Sequence, residues 1–435
     1  MTVEECDVLA VGGGPFNLGL AALADPLPDV SVVVCEQLAE SDWGWHPGVL
    51  FDDAILQVSF LADLVSLVDP TNPLSFLSFL RDRGRLYQFY VRERFHPTRL
   101  EYQDYLRWAA ARLPVRHGHR VDSVYWDADR ARFAVSVSEA GGGRQEFLAR
   151  HLALGIGTAP WLPPKLAALG EDRVVHSADY LHRAGDLERA DRVTVVGSGQ
   201  SGAEAMLDLL RRNGSRGPRL SWLTRTESFA PLDYSRLVLE MTTPDYVRYF
   251  ASLPERTRDA LIANQWRHYK GISEETIDEL HDALYRRLAH GGTDVELRSG
   301  VAVQDAALSD GGLTLDCVHR DTGQGFEHRT DIVVAATGYR HRPTDFLAPI
   351  ADRLARDEAG RPQVREDHSI ETDPSISGRI FTSNADIHRH GVSAPDLGFG
   401  AVRNAVVLNT VLAREAYTLP VRTAFTSFGT PGEDG

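Results

Sequence analysis

Two glycine turns, each set between an apolar strand pattern and a helical one, constrain the fold of this chain more than any other feature. The first begins with the short apolar run Cys6–Val11, followed by Gly12-Gly13-Gly14 and a helical pattern opening at Pro15. A second β-branched run then ends in the acid Glu36. Gly12 suits a tight turn, Gly14 lets backbone approach a pyrophosphate, and the helix beginning at Pro15 points its N-terminal dipole at phosphate. The third position of the motif is Asn17 rather than glycine. Glu36 stands at the spacing, about 20 residues on, of a carboxylate that binds an unphosphorylated ribose, which fits FAD or NAD.

The second turn is Gly197-Ser198-Gly199-Gln200-Ser201-Gly202, again between a strand and a helix. Its following strand ends at Trp222-Leu223-Thr224-Arg225, without an acid. A carboxylate there would repel a 2′-phosphate and an arginine would bind one, so Arg225 favours NADPH over NADH. An ordinary surface arginine is the competing reading. A third marker, the apolar run 333–336 ending in Thr337-Gly338-Tyr339, suits the return of the chain to a first nucleotide domain. Together these predict an α/β fold with two Rossmann-like dinucleotide-binding domains and a smaller helical insertion. The expected FAD-binding domain is residues 1–165 and 330–435. The expected NADPH-binding domain is residues 166–228 and 290–329. Residues 229–289, charged and helical in period, are expected to be a helical substrate-binding region.

A net charge of −15 argues against a nucleic-acid partner. No apolar run is long enough to span a bilayer, and the N-terminus lacks the basic region of a signal peptide, so the expected location is the cytoplasm. Cys6, Cys35 and Cys317 form no CxxC pair. That removes a disulfide reductase, which shares the two-turn layout but needs a redox cysteine pair, and no metal site is expected.

Several segments, in order along nearly the whole chain, carry a family resemblance. They are residues 12–18 (GGGPFNL), Trp45-His46-Pro47-Gly48, Leu56-Gln57-Val58-Ser59-Phe60-Leu61, residues 197–204, residues 336–339 and His390-Gly391. Together they resemble the microbial N-hydroxylating monooxygenases of siderophore biosynthesis, which act on the terminal amine of ornithine, lysine, putrescine or cadaverine. The resemblance implies FAD and NADPH as cofactors and O2 and a small amine as substrates. It also implies chemistry through a flavin C4a-hydroperoxide and a homo-oligomer, tetramer or dimer. It places Trp45, His46, Val121 and Leu397 along FAD and Gln57 near the flavin ring; packing and capping are the plain alternatives for Trp45 and Gln57. A Baeyer–Villiger or sulfide-oxidising flavoprotein would share both nucleotide sites but not this joint signature. A non-catalytic redox sensor would show no amine-dependent O2 consumption.

The resemblance also bears on the amine. In the ornithine and lysine enzymes the segment matching Phe60-Leu61-Ala62-Asp63-Leu64 carries a lysine that pairs with the substrate carboxylate, and here it is Ala62. Two substrate-binding asparagines of those enzymes correspond to Leu239 and His268. The stretches 232–246 and 266–272 look most like the putrescine and cadaverine enzymes. A buried carboxylate without a cation is costly, so these departures imply a diamine. Its second ammonium needs a carboxylate: Asp396 first, with Asp233 and Glu240 as alternatives. The competing substrate is lysine or ornithine, with Arg236 or Lys270 supplying the missing cation.

Overall fold

The computed structural model describes residues 3–212, 217–292, 294–309 and 311–430. Two parallel sheets organise it. In the first, Val3–Val11 lies between Val32–Glu36 and Arg144–Leu154, parallel to both. The run Val32–Glu36 is buried at every position, as expected of a β-branched strand covered on both faces. The antiparallel meander His119–Asp127, Arg132–Glu139 and Arg144–Leu154 extends the sheet, and Ile380–Thr382 pairs with the end of its last strand. Register decides where a ligand sits: Val11 is opposite both Cys35 and Leu154. Gly12, Glu36 and Gly155 therefore emerge together at the carboxyl edge, the usual binding edge of such sheets.

The second sheet has five parallel strands in the order Val295–Arg298, Arg219–Leu223, Arg192–Val196, Ile332–Ala335, Val174–His176. Its glycine turn repeats the construction of the first. A Cβ on Gly12 would lie 2.5 Å from the carbonyl oxygen of Gly155, and one on Gly197 would lie 2.1 Å from that of Ala336. Both glycines have positive φ, +99° and +135°. Each turn is thus crossed by the backbone leaving a neighbouring strand, and only glycine fits. A separate antiparallel sheet is made by Val301–Ser309, Gly312–His319 and Gly325–Thr330.

The boundary expected at residue 330 lies later. Ile332–Ala335 is a fully buried strand inside the second sheet, between Arg192–Val196 and Val174–His176. The chain passes between the two halves at Thr158–Pro160 and Tyr339–His341, which pair antiparallel as a two-stranded ribbon. Residues 229–289 hold the helices Arg236–Leu239, Pro244–Ser252, Glu255–Asn264 and Glu274–Ala289 and no named strand. Among the described residues, no helix is long and apolar enough to cross a membrane.

Candidate active site

A cavity of about 940 Å3 runs from the first glycine turn to the loop 391–397. At one end are Gly12, Gly14, Pro15 and Glu36. The Glu36 carboxylate is buried and accepts hydrogen bonds from the Gly13 amide (2.7 Å) and the Leu38 amide (2.8 Å). The helix Pro15–Ala24 has no side-chain cap, so its first amides stay available to an anion. Asn17, expected at the cofactor, is not on the cavity wall. Its amide is buried and donates to the carbonyls of Val11 (3.0 Å) and Gly12 (2.9 Å), bracing the turn from beneath.

The wall also includes Trp45, His46 and Val121. His46 adopts a left-handed backbone, φ 56°, which is strained for a residue with a Cβ. Its ring meets Trp45 and Tyr339 edge-on. Burial first, then the Arg99 guanidinium, lower its pKa to about 4, so the imidazole is neutral at pH 7.

At the far end are Gln57, Val58, Tyr234, His268, Tyr269, Val392, Pro395, Asp396 and Leu397. Asp396 lines the cavity and is half-buried. Burial raises its pKa, opposed by the backbone amides of Gly398 and Phe399 and by Arg403. The Gly398 amide donates to Asp396 Oδ1 at 2.7 Å. Asp396 in turn raises the pKa of the Tyr234 phenol, adding to the larger effect of burial. His268 Nδ1 is buried without a hydrogen-bond partner. Ala62 does not line the cavity, but it and Asp396 both approach Gly398. A Cβ built on Gly398 would lie 3.7 Å from Ala62 Cβ and 2.9 Å from Asp396 Oδ1. Leu239 lies off the cavity wall, on the short helix Arg236–Leu239, and is 36% exposed. Asp233 and Glu240 also lie off it; Glu240 is engaged by the amides of Phe425 and Thr426.

The second turn opens toward the same cavity through Ser201. Gly197, Ser198, Gly199 and Gln200 stand just beyond its wall. Gln57 Nε2 donates to Gln200 Oε1 at 3.2 Å, which ties the cavity wall to the second turn. Arg225 makes no ion pair among the described residues. Lys270 shares its neighbourhood: burial, then Arg225, lower the Lys270 pKa, and its carbonyl lies 3.5 Å from a Cβ built on Gly199. Among the described residues Lys270 also makes no ion pair, its ammonium lying over the Tyr269 ring.

Sequence reasoning missed the support behind the wall. Asp386 is fully buried and accepts from His368 Nδ1 (3.0 Å) and His390 Nδ1 (2.8 Å). Burial opposes its charge, but these two hydrogen bonds and nearby Arg403 hold its pKa well below the ordinary carboxylate range. Buried Arg403 lies over the Phe16 ring and donates to the Ala394 carbonyl at 2.6 Å. The cluster brackets the loop that carries Asp396 and Leu397. These residues are far apart in sequence, and no local pattern announces them.

The buried histidines set a pH limit. Burial is the largest cause lowering half-buried His151 to about 4 and fully buried His368 to about 3. Each is neutral when folded, while the unfolded chain takes its proton near pH 6.5. Their contribution to stability is therefore complete above about pH 6.5 and is lost as pH falls toward 4. The urea midpoint is expected to drop between pH 7 and pH 5 with uptake of more than one proton per molecule. A midpoint flat over that range would contradict it.

Two glycine turns on parallel sheets, opening on one elongated cavity, define a two-dinucleotide oxidoreductase. The family model described as L-lysine 6-monooxygenase/L-ornithine 5-monooxygenase matches residues 4–341. The putrescine N-hydroxylase of Shewanella oneidensis is 38% identical, over 97% of this chain and 84% of the relative. A cadaverine monooxygenase of the desferrioxamine pathway of Erwinia amylovora, solved with FAD bound, superposes with a TM-score of 0.94. It is 38% identical and covers 100% of both chains. An ornithine N-hydroxylase of Kutzneria sp. 744, solved with reduced FAD, NADP+ and L-ornithine, has a TM-score of 0.87 at 27% identity. That match covers 95% of this chain and 100% of the other. The chain belongs to the L-lysine 6-monooxygenase/L-ornithine 5-monooxygenase family, whose members are FAD- and NADPH-dependent amine-hydroxylating monooxygenases.

Proposed function

We propose that this enzyme hydroxylates one terminal nitrogen of a short aliphatic diamine, putrescine or cadaverine, for hydroxamate siderophore biosynthesis. The carrying observation is the pair Ala62 and Asp396. Where an amino-acid substrate would need a cation, this chain has a methyl group, and a half-buried carboxylate approaches the same glycine, Gly398. The charge of the site is inverted, so its ligand should carry an ammonium in place of a carboxylate. Putrescine and cadaverine relatives at 38% identity support the reading. Neither Arg236 nor Lys270, the cations a lysine substrate would call on, lines the cavity.

The residues fit the cofactors. The Gly12–Pro15 turn, braced by Asn17, would hold the FAD pyrophosphate and Glu36 its ribose, with Trp45, His46, Val121 and Leu397 along its length. The turn Gly197–Ser201 with Arg225, joined by Lys270, would hold NADPH. When bound, FAD reduced by NADPH supplies the activated oxygen. The protein's task is the amine. Asp396, with the Tyr234 hydroxyl near it, pairs the distal ammonium and so anchors the chain of methylenes. Val58, Val392, Pro395 and Leu397 give the reacting end an apolar lining, which lowers the pKa of the amine from its ordinary value near 10 and favours the neutral form. Gln57, held by Gln200, and His268 are the polar groups left to orient it. The short helix Leu86–Arg92 buries none of its residues and exposes Tyr87, Tyr90 and Val91. That face supports a homo-oligomer, dimer or tetramer; a monomeric mass by light scattering would exclude it.

The test is hydroxylamine product from putrescine, cadaverine, ornithine and lysine at saturating NADPH. Product should form with the diamines at least ten times faster than with either amino acid, since the lost ion pair is worth about 1.4 kcal/mol or more per tenfold. Preference for lysine would overturn the assignment. NADPH consumption alone does not serve, because it includes uncoupled reduction of O2.

A further inference from the structure

The cavity wall is joined to the second nucleotide turn by a buried polar node. Arg99 begins the helix Arg99–Ala110 beside the first sheet, and Glu204 lies in the first turns of the helix Gln200–Arg212 beside the second. They pair through a hydrogen bond, Nη1 to Oε2 at 2.9 Å, and a second ion-pair contact, Nη2 to Oε1 at 2.8 Å, with side chains only 13% and 8% exposed. Glu204 Oε1 also accepts from Gln200 Nε2 at 2.8 Å. The Gln200 amide is saturated. Nε2 also donates to Thr276 Oγ1 at 3.0 Å, and Oε1 accepts from Gln57 Nε2 at 3.2 Å and from the Ser273 amide at 2.8 Å. Three separate parts of the fold meet here: the flavin-side residues Gln57 and Arg99, the nucleotide-side helix, and the start of the helix Glu274–Ala289.

Burying such a pair is expensive, and apolar packing would hold two halves together as well or better. What a bidentate pair adds is a fixed distance and angle. Between the halves the chain crosses at the narrow ribbon Thr158–Pro160 and Tyr339–His341, Gly48 packs on Ala178, and the exposed pair Arg211–Asp53 joins the far end of the helix Gln200–Arg212. None of these three holds the start of that helix, which carries the second turn. The node does so from Arg99 and Gln57, both on the cavity wall.

We propose that Glu204 is a positioning residue for flavin reduction: through Arg99 and Gln200 it sets the separation of the two nucleotide turns. The step it governs is transfer of a hydride, with its electron pair, from the nicotinamide C4 of NADPH to FAD, leaving NADP+. The proposal rests on the family's use of NADPH and is independent of which amine is hydroxylated.

The experiment compares wild type with Glu204→Gln, which keeps shape but removes the charge. A second variant, Thr276→Val, loosens Gln200 without touching the ion pair. Anaerobic flavin reduction by NADPH is followed in a stopped flow, and hydrogen exchange is followed in residues 198–206 and 273–276 of the cofactor-free protein. In Glu204→Gln the limiting reduction rate should fall about 10-fold or more, as displacement of reacting groups by an ångström can cost still more. The KM for amine should stay within twofold, and exchange in both segments should rise. Thr276→Val should show a smaller loss in the same direction. An unchanged reduction rate in a folded Glu204→Gln, or a loss confined to NADPH affinity, would overturn the proposal. So would wild-type rates in Thr276→Val should Glu204→Gln fail to fold. Failure of the diamine assignment would appear only in the product panel and leave these rates untouched.

Discussion

Asp396→Asn should raise the KM for putrescine and cadaverine roughly 100-fold while making the cofactor-free protein more stable. Both halves follow from one fact. Asp396 is a half-buried carboxylate whose pKa is raised chiefly by loss of solvation. Without a cation it is a burden. A group whose folded pKa is raised stabilises the fold only while protonated, so at pH 7, above the ordinary carboxylate range, its charge costs stability. Asparagine keeps the Oδ1 acceptor for the Gly398 amide and removes the charge. With a diamine bound, the same substitution leaves the distal ammonium unpaired in the cavity, and truncating one partner of a buried pair costs about 2–5 kcal/mol. Steady-state kinetics beside a thermal melt reads both. A variant that loses diamine affinity and also melts lower would mean that Asp396 is a structural acid.

The second large effect is expected at Gly48. Its place in Trp45-His46-Pro47-Gly48 gave no reason for glycine beyond the resemblance. In the fold, a Cβ on Gly48 would fall 1.6 Å from the carbonyl oxygen of Ala178, just past the end of the edge strand Val174–His176 of the second sheet. Both partners are backbone, so no side chain can swing away. Gly48→Ala must push the two halves apart or distort the loop that carries Trp45 and His46. A destabilisation of about 3 kcal/mol or more is expected, at the upper end for single substitutions. The melting temperature should fall by several degrees, and purified protein should lose FAD. Wild-type melting with full FAD content would show that the contact relaxes freely.

How much of this was legible follows from the range of the signal. The two strand–turn–helix units, Glu36 and the helical stretch 229–289 are local patterns, and each appears where its pattern placed it. The end of the second nucleotide half was misplaced because the run 332–335 reads the same whether it closes one sheet or begins the return to the other. Strand order alone decides that. Asn17 has the right position for a cofactor contact, but its amide is spent on the carbonyls beneath it. Leu239 was aligned to a substrate residue; the short helix that carries it turns it away from the cavity wall. Arg99–Glu204 and Asp386 with its two histidines join positions too far apart for any spacing rule. Tyr234 and Lys270 were within the stretches singled out, yet only the packed chain shows which neighbours they have.

The paired crossings at Thr158–Pro160 and Tyr339–His341 carry a consequence for ancestry and engineering alike. Because the chain leaves the flavin half and re-enters it side by side, everything between is a cassette whose two ends already touch. A short turn joining residue 160 to residue 339 would close the first sheet's half on itself without stretching any strand. The second half could then be exchanged for another nucleotide module by splicing at two neighbouring points, provided that the newcomer brings its own equivalents of Gln200 and Glu204.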